Sequence, residues 1–410
     1  MASPLHTYSH DDYTIAWITT LSVERVAAEL MLDETHGRLR ALEGDDNFYT
    51  LGRIGEHNVV LMTASRPGID SVNHLATNMA RTFRKLRFIF LIGIGGGAPM
   101  APVGEDSDQH DLMLGDVVVS FQENEHDKGP GYVYQHDYGK HLGNGEFDNR
   151  SYIRKPPAEI INIIRGWKIN RLLKRTKLEV YLQEAVDKAR TFRKREYNEF
   201  KFPGRDKDEL YSVGGEGQGS SDGVSTKTSS SIIMRLERDD SDPVVHYGLI
   251  ASASSGMGNA RRRDELRDKY GVMCFEMEAA GLMNDFPCFI VRGISNYSDG
   301  HKSDNWQPWA SMTASAAAKD LLSVIQPWSI DTTKTVIEVI DRRVIPLVSK
   351  GFEAAEERER VKEVLHTIGK LKKRIRSGYD DEISRRLRRQ HCENSCKSGE
   401  WLRQEDAFQS

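Results

Sequence analysis

Apolar and polar positions alternate along the chain in blocks that predict an α/β fold. Short runs of β-branched and aromatic residues, bounded by polar turns, are typical of buried strands. Such runs occur at 13–19, 87–92, 112–121, 246–251 and 288–291, and residues 48–64 have the pattern of a hairpin that turns at 55–58. Stretches with helical spacing lie between them, at 22–31, 71–83, 157–195 and 260–270. We therefore expect strands and helices to alternate around a central sheet.

Polar side chains collect where the last of these strands ends. Glu276, Met277 and Glu278 open an Ala/Gly-rich helical run, and the strand at 288–291 is followed by a polar turn over 293–299. Such groups at the end of a buried strand lie at the carboxyl edge of the sheet, where open α/β folds bind ligands. This stretch is the strongest candidate for a functional site.

Two further features are expected at the same edge of the sheet. Glu24 falls in the first turn of the helix after the first strand, with Ser22 as the expected N-cap. The strand that begins at residue 87 breaks into four glycines: Gly93, Gly95, Gly96 and Gly97. A backbone without Cβ atoms can approach a ligand closely. The spacing does not match the dinucleotide-binding fingerprint, so another kind of ligand is predicted.

The order of these motifs resembles the nucleoside phosphorylase and nucleosidase family. The likeness is carried by E-M-E-A at 276–279, V-R-G-I-S at 291–295, L-G-D-V-V-V-S at 114–120 and the glycines after residue 92. This family includes purine nucleoside phosphorylases and methylthioadenosine/S-adenosylhomocysteine nucleosidases, and the likeness is strongest to a fungal branch found at the front of NLR-like immune proteins. It implies a three-layer α/β sandwich with a mixed central sheet over residues 12–328, a homo-oligomer, and no metal or organic cofactor.

The resemblance also implies roles for single residues in cleaving a purine N-glycosidic bond. Glu24 matches the general base that activates water. Met277 and Glu278 match the pair that binds the ribose, with Glu276 in support, and the four glycines match the loop beneath the ribose. The purine is expected against a small polar loop formed by Ser254, Ser255, Gly256 and Met257.

One departure from the family pattern concerns the residue expected to protonate the leaving base. Nucleosidases of this family carry an Asp where this chain has Asn296, and an amide can donate a hydrogen bond but cannot deliver a proton. Trimeric purine phosphorylases use Asn in a comparable role for 6-oxopurines. Three explanations stay open: a preference for 6-oxopurines, action of Asp299 in its place, or an inactivated enzyme.

The nucleophile is predicted from the residues that precede the glycines. Hexameric phosphorylases of the family carry an arginine there to hold phosphate, whereas this chain has Phe90, Leu91 and Ile92. Because a guanidinium is the main charge-assisted contact to phosphate, its loss favours water as the nucleophile. Arg66 and Arg261 are candidate phosphate contacts, although a solvated arginine on a loop or helix is the commoner case.

Composition and charge limit which partners, compartment and metal ions the protein is expected to have. The net charge of the 410 residues is −4, which argues neither for nor against nucleic acid, and the longest apolar run, 88–94, is too short to span a bilayer. We expect no nucleic-acid or membrane partner. The first residues lack the pattern of a signal peptide and the four cysteines have the pattern of free thiols, which predicts a cytoplasmic protein. The histidines at 126, 136 and 141 and the His/Cys residues at 391–396 lack metal-site spacing, so no metal is predicted.

Two regions lie outside a minimal nucleosidase domain. Residues 157–243 are predicted to be an insertion, helical at first and flexible over 201–231, that forms a lid or an oligomer contact. Residues 329–410 are predicted to be a helical linker. Residues 398–409 resemble sequence found just upstream of a NACHT domain, and no Walker A motif occurs in the chain.

The predicted function is that of a purine nucleosidase acting on nucleosides or on nucleotides such as ATP, as an effector domain of an NLR-like immune protein. The first alternative is a catalytically weak signalling module that binds purines, which Asn296 favours. The second alternative is a phosphate-dependent purine nucleoside phosphorylase.

Overall fold

The computed structural model describes most of residues 8–327 and a few short stretches beyond them. The gaps are residues 41, 101–110, 123–131, 144–146, 152–154, 193–198, 213–231, 236–237, 239–241, 284–285 and 287; beyond 327, residues 333–336, 338, 366–367 and 369–370 are described. Most of the predicted flexible stretch, nearly all of the helical linker and the NACHT-like stretch therefore lie outside the described residues, as does His126.

The described residues form twelve strands and seven helices. The strands are β1 (Ile15–Thr19), β2 (Glu34–Thr35), β3 (Thr50–Ile54), β4 (His57–Thr63), β5 (Phe88–Gly97), β6 (Val117–Ser120), β7 (Val133–Gln135), β8 (Gly139–His141), β9 (Phe147–Asn149), β10 (Val245–Ser252), β11 (Val272–Glu276) and β12 (Cys288–Asn296). The helices are α1 (Ser22–Leu30), α2 (Ile69–Thr82), α3 (Ala158–Leu172), α4 (Leu178–Ala189), α5 (Ala260–Tyr270), α6 (Ala279–Met283) and α7 (Gln307–Ser323).

Ten of the strands form one mixed sheet, in the order β11-β10-β6-β12-β5-β1-β4-β3-β2, with β7 beside β10. The central strands β4, β1, β5 and β12 are parallel, whereas β6 is antiparallel to β12 and β3 is antiparallel to β4. β11 also pairs with the end of β5, so the sheet curls back on itself there. The predicted α/β fold with a mixed central sheet is confirmed.

The centre of the sheet is held by apolar side chains in register across its strands. Trp17 pairs with Phe90, and Phe90 pairs with Phe289, so the three rings lie on one face of the sheet. Their centroids lie 6.3 Å and 4.5 Å apart along the row. Such aromatic pairs contribute about 0.5–1.5 kcal/mol each beyond the burial of their area. The hydrophobic runs of the sequence thus form a packed layer on one face of β1, β5 and β12, the strands whose carboxyl ends carry the polar groups.

Helix α7 packs against this sheet and joins α1 and α4 in one layer. Its described side chains are almost all buried, and small residues let it approach β12 closely. A Cβ on Gly293 would collide with the carbonyl oxygen of Ala310. The predicted insertion contributes to this layer, since the indole Nε1 of Trp167 donates to Asp320 at 2.7 Å. Helices α3 and α4 are therefore packed structural elements, while the division of the chain into domain, insertion and linker stays a prediction.

Four local predictions are wrong. Ser22 is the first residue of α1 and not its N-cap, which is Leu21. β5 continues through Gly97 instead of breaking at Gly93, because its glycines pair with β12 and β11. β12 likewise continues to Asn296, through residues that were predicted as a turn, and the Glu276 that was expected to open a helix ends β11.

Candidate active site

A cavity of about 270 Å³ opens where β1, β5, β11 and β12 end. Its walls come from the start of α1, from β5 after residue 93, from the loop after β10, from residues 275–278 and from the chain between 295 and 307. The acidic triplet, the glycines and the polar turn singled out from the sequence therefore meet at one place.

Glu24 is fixed at one wall of the cavity by main-chain donors. One carboxylate oxygen, Oε2, accepts from the backbone N–H of Thr20 at 2.8 Å and of Leu21 at 2.9 Å, and from the Thr20 hydroxyl at 3.1 Å. The other oxygen, Oε1, accepts from the backbone N–H of Ile94 at 2.8 Å. Only 2% of the residue is exposed. The Glu24 carboxylate, and not the predicted Ser22 cap, therefore accepts from the N–H groups at the start of α1.

A buried arginine holds the two carboxylates of the opposite wall. The guanidinium of Arg292 donates from Nη2 to Glu276 at 2.5 Å and to Glu278 at 3.1 Å, and 1% of its side chain is exposed. Burial acts to lower the pKa of Arg292, but the carboxylates of Glu276, Glu278 and Glu24 outweigh it and hold the pKa above its usual value. Arg292 is therefore a permanent cation beneath the acidic wall.

Glu276 and Glu278 differ in how their charge is compensated. Glu276 accepts from the N–H groups of Glu278 and Ala279 as well as from Arg292. Glu278 also accepts from Arg292, at 3.1 Å, but its other partners are weaker: the N–H groups of Met277 and of Gly68, both at 3.3 Å. Burial, with the negative charges of Glu276 and Glu24 and against the pull of Arg292, raises the pKa of Glu278 to about 7. Glu278 is therefore the carboxyl group of this wall that gains or loses a proton near neutrality.

Asn296 ends β12 at a third side of the cavity with a fixed amide orientation. Its Oδ1 accepts from the backbone N–H of Ser298 at 3.0 Å, and its Nδ2 donates to the hydroxyl of Ser295 at 3.1 Å. Because an N–H group must face Oδ1, the NH₂ group takes the other position, where one of its two protons has no partner among the residues that the structure describes. The side chain can thus donate one hydrogen bond to a ligand.

Close packing explains the glycines. A Cβ on Gly93 would collide with Glu24 and would lie 2.6 Å from Nη1 of Arg292. A Cβ on Gly96 would collide with the hydroxyl of Ser298 and would lie 2.9 Å from Oδ1 of Asn296. The absent side chains leave room for the groups that line the cavity, which is a reason for glycine beyond a close approach to ligand.

Most of the predicted site residues meet at this cavity. Those among its lining are Glu24, Gly95, Gly96, Gly256, Met257, Glu276, Met277, Glu278 and Asn296. Gly93 and Gly97 lie behind the lining, against Glu24 and Leu112.

The remaining predicted residues lie elsewhere. Asp299 faces a neighbouring cavity of about 250 Å³, which shares only Ser295 and Asn296 with the first, so the geometry does not support Asp299 as a substitute for Asn296. Ser254, Ser255, Arg66 and Arg261 are exposed and are not part of the lining, although Pro67, next to Arg66, is.

The sequence prediction missed several lining residues. Lys302 and Asp304 reach the cavity from the loop before α7, Gln307 from the first position of α7, and Phe275 from β11. The Nζ atom of Lys302 lies 3.7 Å from the position that a Cβ on Gly256 would occupy. Polar residues in a solvated loop carry no sequence signal that separates them from surface residues, and only the return of the chain over the sheet brings them to the site.

Metal and membrane features were sought within the described part of the chain. No group of three or more His, Cys, Asp or Glu side chains there is arranged to hold a metal ion. No described helix is both long enough and apolar enough to cross a membrane.

Comparisons with known proteins agree with the resemblance that the sequence motifs carry. No family model matches the chain. A nucleotide-binding leucine-rich repeat (NLR)-like protein of Hyaloscypha variabilis is 36% identical over 327 residues, which are 80% of this chain and 31% of the relative. The chain therefore spans about a third of the length of that relative.

Solved structures of similar fold carry nucleosidase-type names. One is the futalosine hydrolase of Helicobacter pylori, with a TM-score of 0.46 and 14% identity, covering 77% of this chain and 100% of that one. Another is the 5'-methylthioadenosine/S-adenosylhomocysteine nucleosidase of Neisseria meningitidis, solved with methylthio-immucillin-A, with a TM-score of 0.44, 15% identity and coverage of 76% and 99%. These similarities are ones of fold alone, and the roles of single residues stay predictions.

Proposed function

We propose that this chain is a purine nucleosidase that hydrolyses the N-glycosidic bond of purine nucleosides or nucleotides. The observation that carries the proposal is the arrangement of one cavity. The Glu24 carboxylate, fixed by main-chain donors, lies on one wall, the Glu278 carboxylate lies with Met277 on the next, and the amide of Asn296 lies on the third. We further propose that it works as a homo-oligomer and as the effector part of an NLR-like protein, on the strength of the sequence resemblance and of the relative's name.

Each group has one task in the proposed reaction. Glu24 accepts a proton from water, whose oxygen forms a bond to C1′ of the ribose while the bond from C1′ to the purine nitrogen breaks. The bonding electron pair leaves with the purine, and the ribose passes through an oxocarbenium-like state. Glu278 accepts hydrogen bonds from the sugar hydroxyls, and Asn296 donates one to the ring nitrogen of the departing base. The proton held by Glu24 then returns to the products, which are the free base and ribose.

Water is favoured over phosphate as the nucleophile on charge grounds. Among the described residues that line the cavity, Lys302 is the single cation and four are acids: Glu24, Glu276, Glu278 and Asp304. Phe90, Leu91 and Ile92, which occupy the place of the phosphorylase arginine, are buried in the core of the sheet. A phosphate dianion would face this acidic lining with little compensation, whereas a neutral water molecule would not. For a nucleotide substrate, Lys302 is the candidate contact for its phosphate.

A purine-binding module with little catalysis is the second candidate, and Asn296 is the observation that favours it. Removing proton transfer to the leaving group lowers rates by about 10²–10⁴-fold in enzymes that depend on it. The fixed amide can still hold a purine by a hydrogen bond, so binding would survive where turnover does not.

The test is to incubate the protein with adenosine, inosine, guanosine and ATP, each with and without phosphate, and to follow free base by chromatography. We expect base release that does not depend on phosphate and that is lost in Glu24→Gln. Asn296→Asp is assayed in parallel, because Asp keeps an acceptor for the Ser298 N–H and adds an acid.

The outcomes separate the alternatives. Release only with phosphate establishes a phosphorylase instead. Release by Asn296→Asp alone establishes an inactivated enzyme, and binding of a free base without release by either form establishes the binding module.

A further inference from the structure

The residue that follows Asn296 is tied to a distant part of the chain. Tyr297 is 3% exposed, and its hydroxyl donates to Oδ1 of Asp208 at 2.5 Å. The hydroxyl oxygen of Tyr297 in turn accepts from Nη2 of Arg235 at 2.7 Å and from the backbone N–H of Leu114 at 3.2 Å. A phenol has one proton to donate and two lone pairs, so every hydrogen-bonding position of this group is used.

The partners of Tyr297 belong to one interlocked cluster. Asp208 accepts from Tyr297 and from Arg235, the latter at 2.6 Å, and its second oxygen accepts from the Leu114 N–H at 3.2 Å. Arg235 also donates to the carbonyl oxygen of Leu112 at 3.1 Å. Asp208 and Arg235 come from the two described stretches 205–212 and 232–235, which meet through a bridge between Tyr211 and Ile232. The predicted insertion therefore reaches the end of β12.

The same two stretches form a wall on the far side of Asn296. Tyr211 stacks on His301 with ring centroids 3.8 Å apart, and the indole Nε1 of Trp306 donates to the carbonyl oxygen of Lys207 at 3.2 Å. Together with Asp299 these residues line the neighbouring cavity, whose boundary with the first cavity is Ser295 and Asn296. Asn296 thus stands between two cavities.

The turn that carries Asn296 is also strained. Ser298 has a φ of +56°, a left-handed conformation that non-glycine residues rarely adopt, and its buried hydroxyl has no hydrogen-bond partner in the described part of the chain. Such a conformation persists only where neighbouring contacts fix it. The contacts that fix this turn are the Tyr297 hydroxyl and the guanidinium of Arg263, which donates to the Tyr297 carbonyl oxygen at 2.8 Å.

We propose that residues 205–212 and 232–235 are a positioning element. Asp208 and Arg235 hydrogen-bond the Tyr297 phenol, and this holds the neighbouring Asn296 in place to donate to the substrate base. The proposal rests on the proposed nucleosidase function for its kinetic consequence, but its structural consequence does not. It gives these stretches a role different from that of a lid or an oligomer contact: they set the place of a hydrogen-bond donor without touching the substrate.

The test compares Tyr297→Phe, Asp208→Asn and the control Asp187→Asn, which makes the same charge change at an exposed position of α4, outside the positioning element. Because small displacements of a positioned group cost up to about 10²-fold in rate, we expect Tyr297→Phe to lower kcat by about 10–100-fold and to leave KM within about threefold. Asp208→Asn keeps the shape of the cluster and should lower kcat by about 3–10-fold, and the kcat of Asp187→Asn should stay within about twofold of the parent value. A purely structural role would lower the melting temperature of Tyr297→Phe and leave kcat unchanged well below it, which overturns the proposal.

A crystal structure of Tyr297→Phe gives a readout that does not depend on turnover. Displacement of Asn296 supports the positioning role, and superposition of residues 295–299 on the parent overturns it even if the parent protein releases no base. Failure of the parent to release or bind any purine overturns the proposed function instead. If Tyr297→Phe does not fold, Asp208→Asn carries both measurements.

Discussion

The two sides of the cavity are held in place by different means. On the Glu24 wall, formed by the end of β1, the start of α1 and β5, a carboxylate accepts from three backbone N–H groups, two of them within four residues in sequence. On the Asn296 wall, formed by the end of β12 and the stretches 205–212 and 232–235, the turn is anchored by side chains that lie 62 and 89 residues away.

The difference determines how each wall responds to change. Backbone donors at a helix start cannot be removed by substituting their own side chains, so the Glu24 wall depends on Glu24 itself and on the space around it. The Asn296 wall depends on a chain of hydrogen-bonded side chains, so we expect partial losses of activity when these side chains are substituted one at a time.

The largest effect is expected from Glu24→Gln, which replaces the proposed base and places an NH₂ group against backbone N–H donors. We expect base release to fall by about 10³-fold, within the range for loss of a general base. The unfolding free energy should fall by about 1–3 kcal/mol, because buried donors lose their acceptor. Glu29→Gln, at an exposed position of the same helix, is the control and should leave the rate unchanged. Steady-state kinetics and thermal denaturation give both values, and full activity of Glu24→Gln would refute the assignment of the base.

A smaller loss is expected from Gly93→Ala, which tests whether space alone holds Glu24 in place. The new Cβ would press on the Glu24 carboxylate and on Arg292. Overpacking of this kind costs about 1–3 kcal/mol of stability. We expect a rate loss of about 10²-fold, as for other small displacements of a catalytic group. Gly37→Ala, where nothing lies within 4 Å of the new atom, is the matched control and should change neither quantity. Unchanged kinetics in Gly93→Ala would show that Glu24 tolerates displacement.

The pKa of Glu278 predicts a pH effect of intermediate size. The group is protonated below about pH 7, so base release should fall as the pH drops from 8 to 5, with an apparent pKa near 7. The native pKa lies above the ordinary value of 4.5, so the folded protein binds the extra proton between about pH 4.5 and 7 and loses stability as the pH rises through that window. Glu278→Gln should therefore raise the unfolding free energy by about 1–3 kcal/mol at pH 8, and not below pH 4.5.

That gain in stability should accompany a loss of function. Without the carboxylate acceptor for the sugar hydroxyls, the rate of base release by Glu278→Gln should fall by about 10-fold. The decrease of that rate below about pH 7 should also disappear from the pH–rate profile. Denaturation at pH 4 and pH 8, with a pH–rate profile, checks both statements. A variant that is less stable at pH 8 would contradict the unfavourable burial of the Glu278 charge beside Glu276 and Glu24.

The smallest effects are expected for Arg66→Ala and Arg261→Ala. Both arginines are exposed and lie outside the lining of the cavity. Exposed substitutions usually change energies by less than about 0.5 kcal/mol, so rates should stay within about twofold with nucleosides. Assays with ATP would show a phosphate contact as a rise in KM for either variant, whereas Lys302→Met, at the cavity, should raise that KM more.

The sequence by itself determined the central strands of the sheet and the identity of most groups at the site. Apolar runs can be buried only in the core, so the positions of β1, β5, β10 and β12 followed from hydrophobicity, and polar residues at their ends marked the carboxyl edge. Glu24, the triplet 276–278 and Asn296 were found in this way, and the structure brings all of them to one cavity.

The tertiary structure decided how far the strands extend, which polar residues face the cavity and what holds them. Whether Gly93 to Gly97 form a loop or a strand depends on pairing with β11 and β12, and a short sequence pattern does not contain its partner. Asp299 and Asn296 are three residues apart and both polar, yet Asn296 borders both cavities and Asp299 lines only the neighbouring one, with the left-handed turn at Ser298 between them. The hold of Asp208 and Arg235 on Tyr297 has no sequence signal at all, since isolated charged residues in a polar stretch are indistinguishable from solvated ones until the chain folds back.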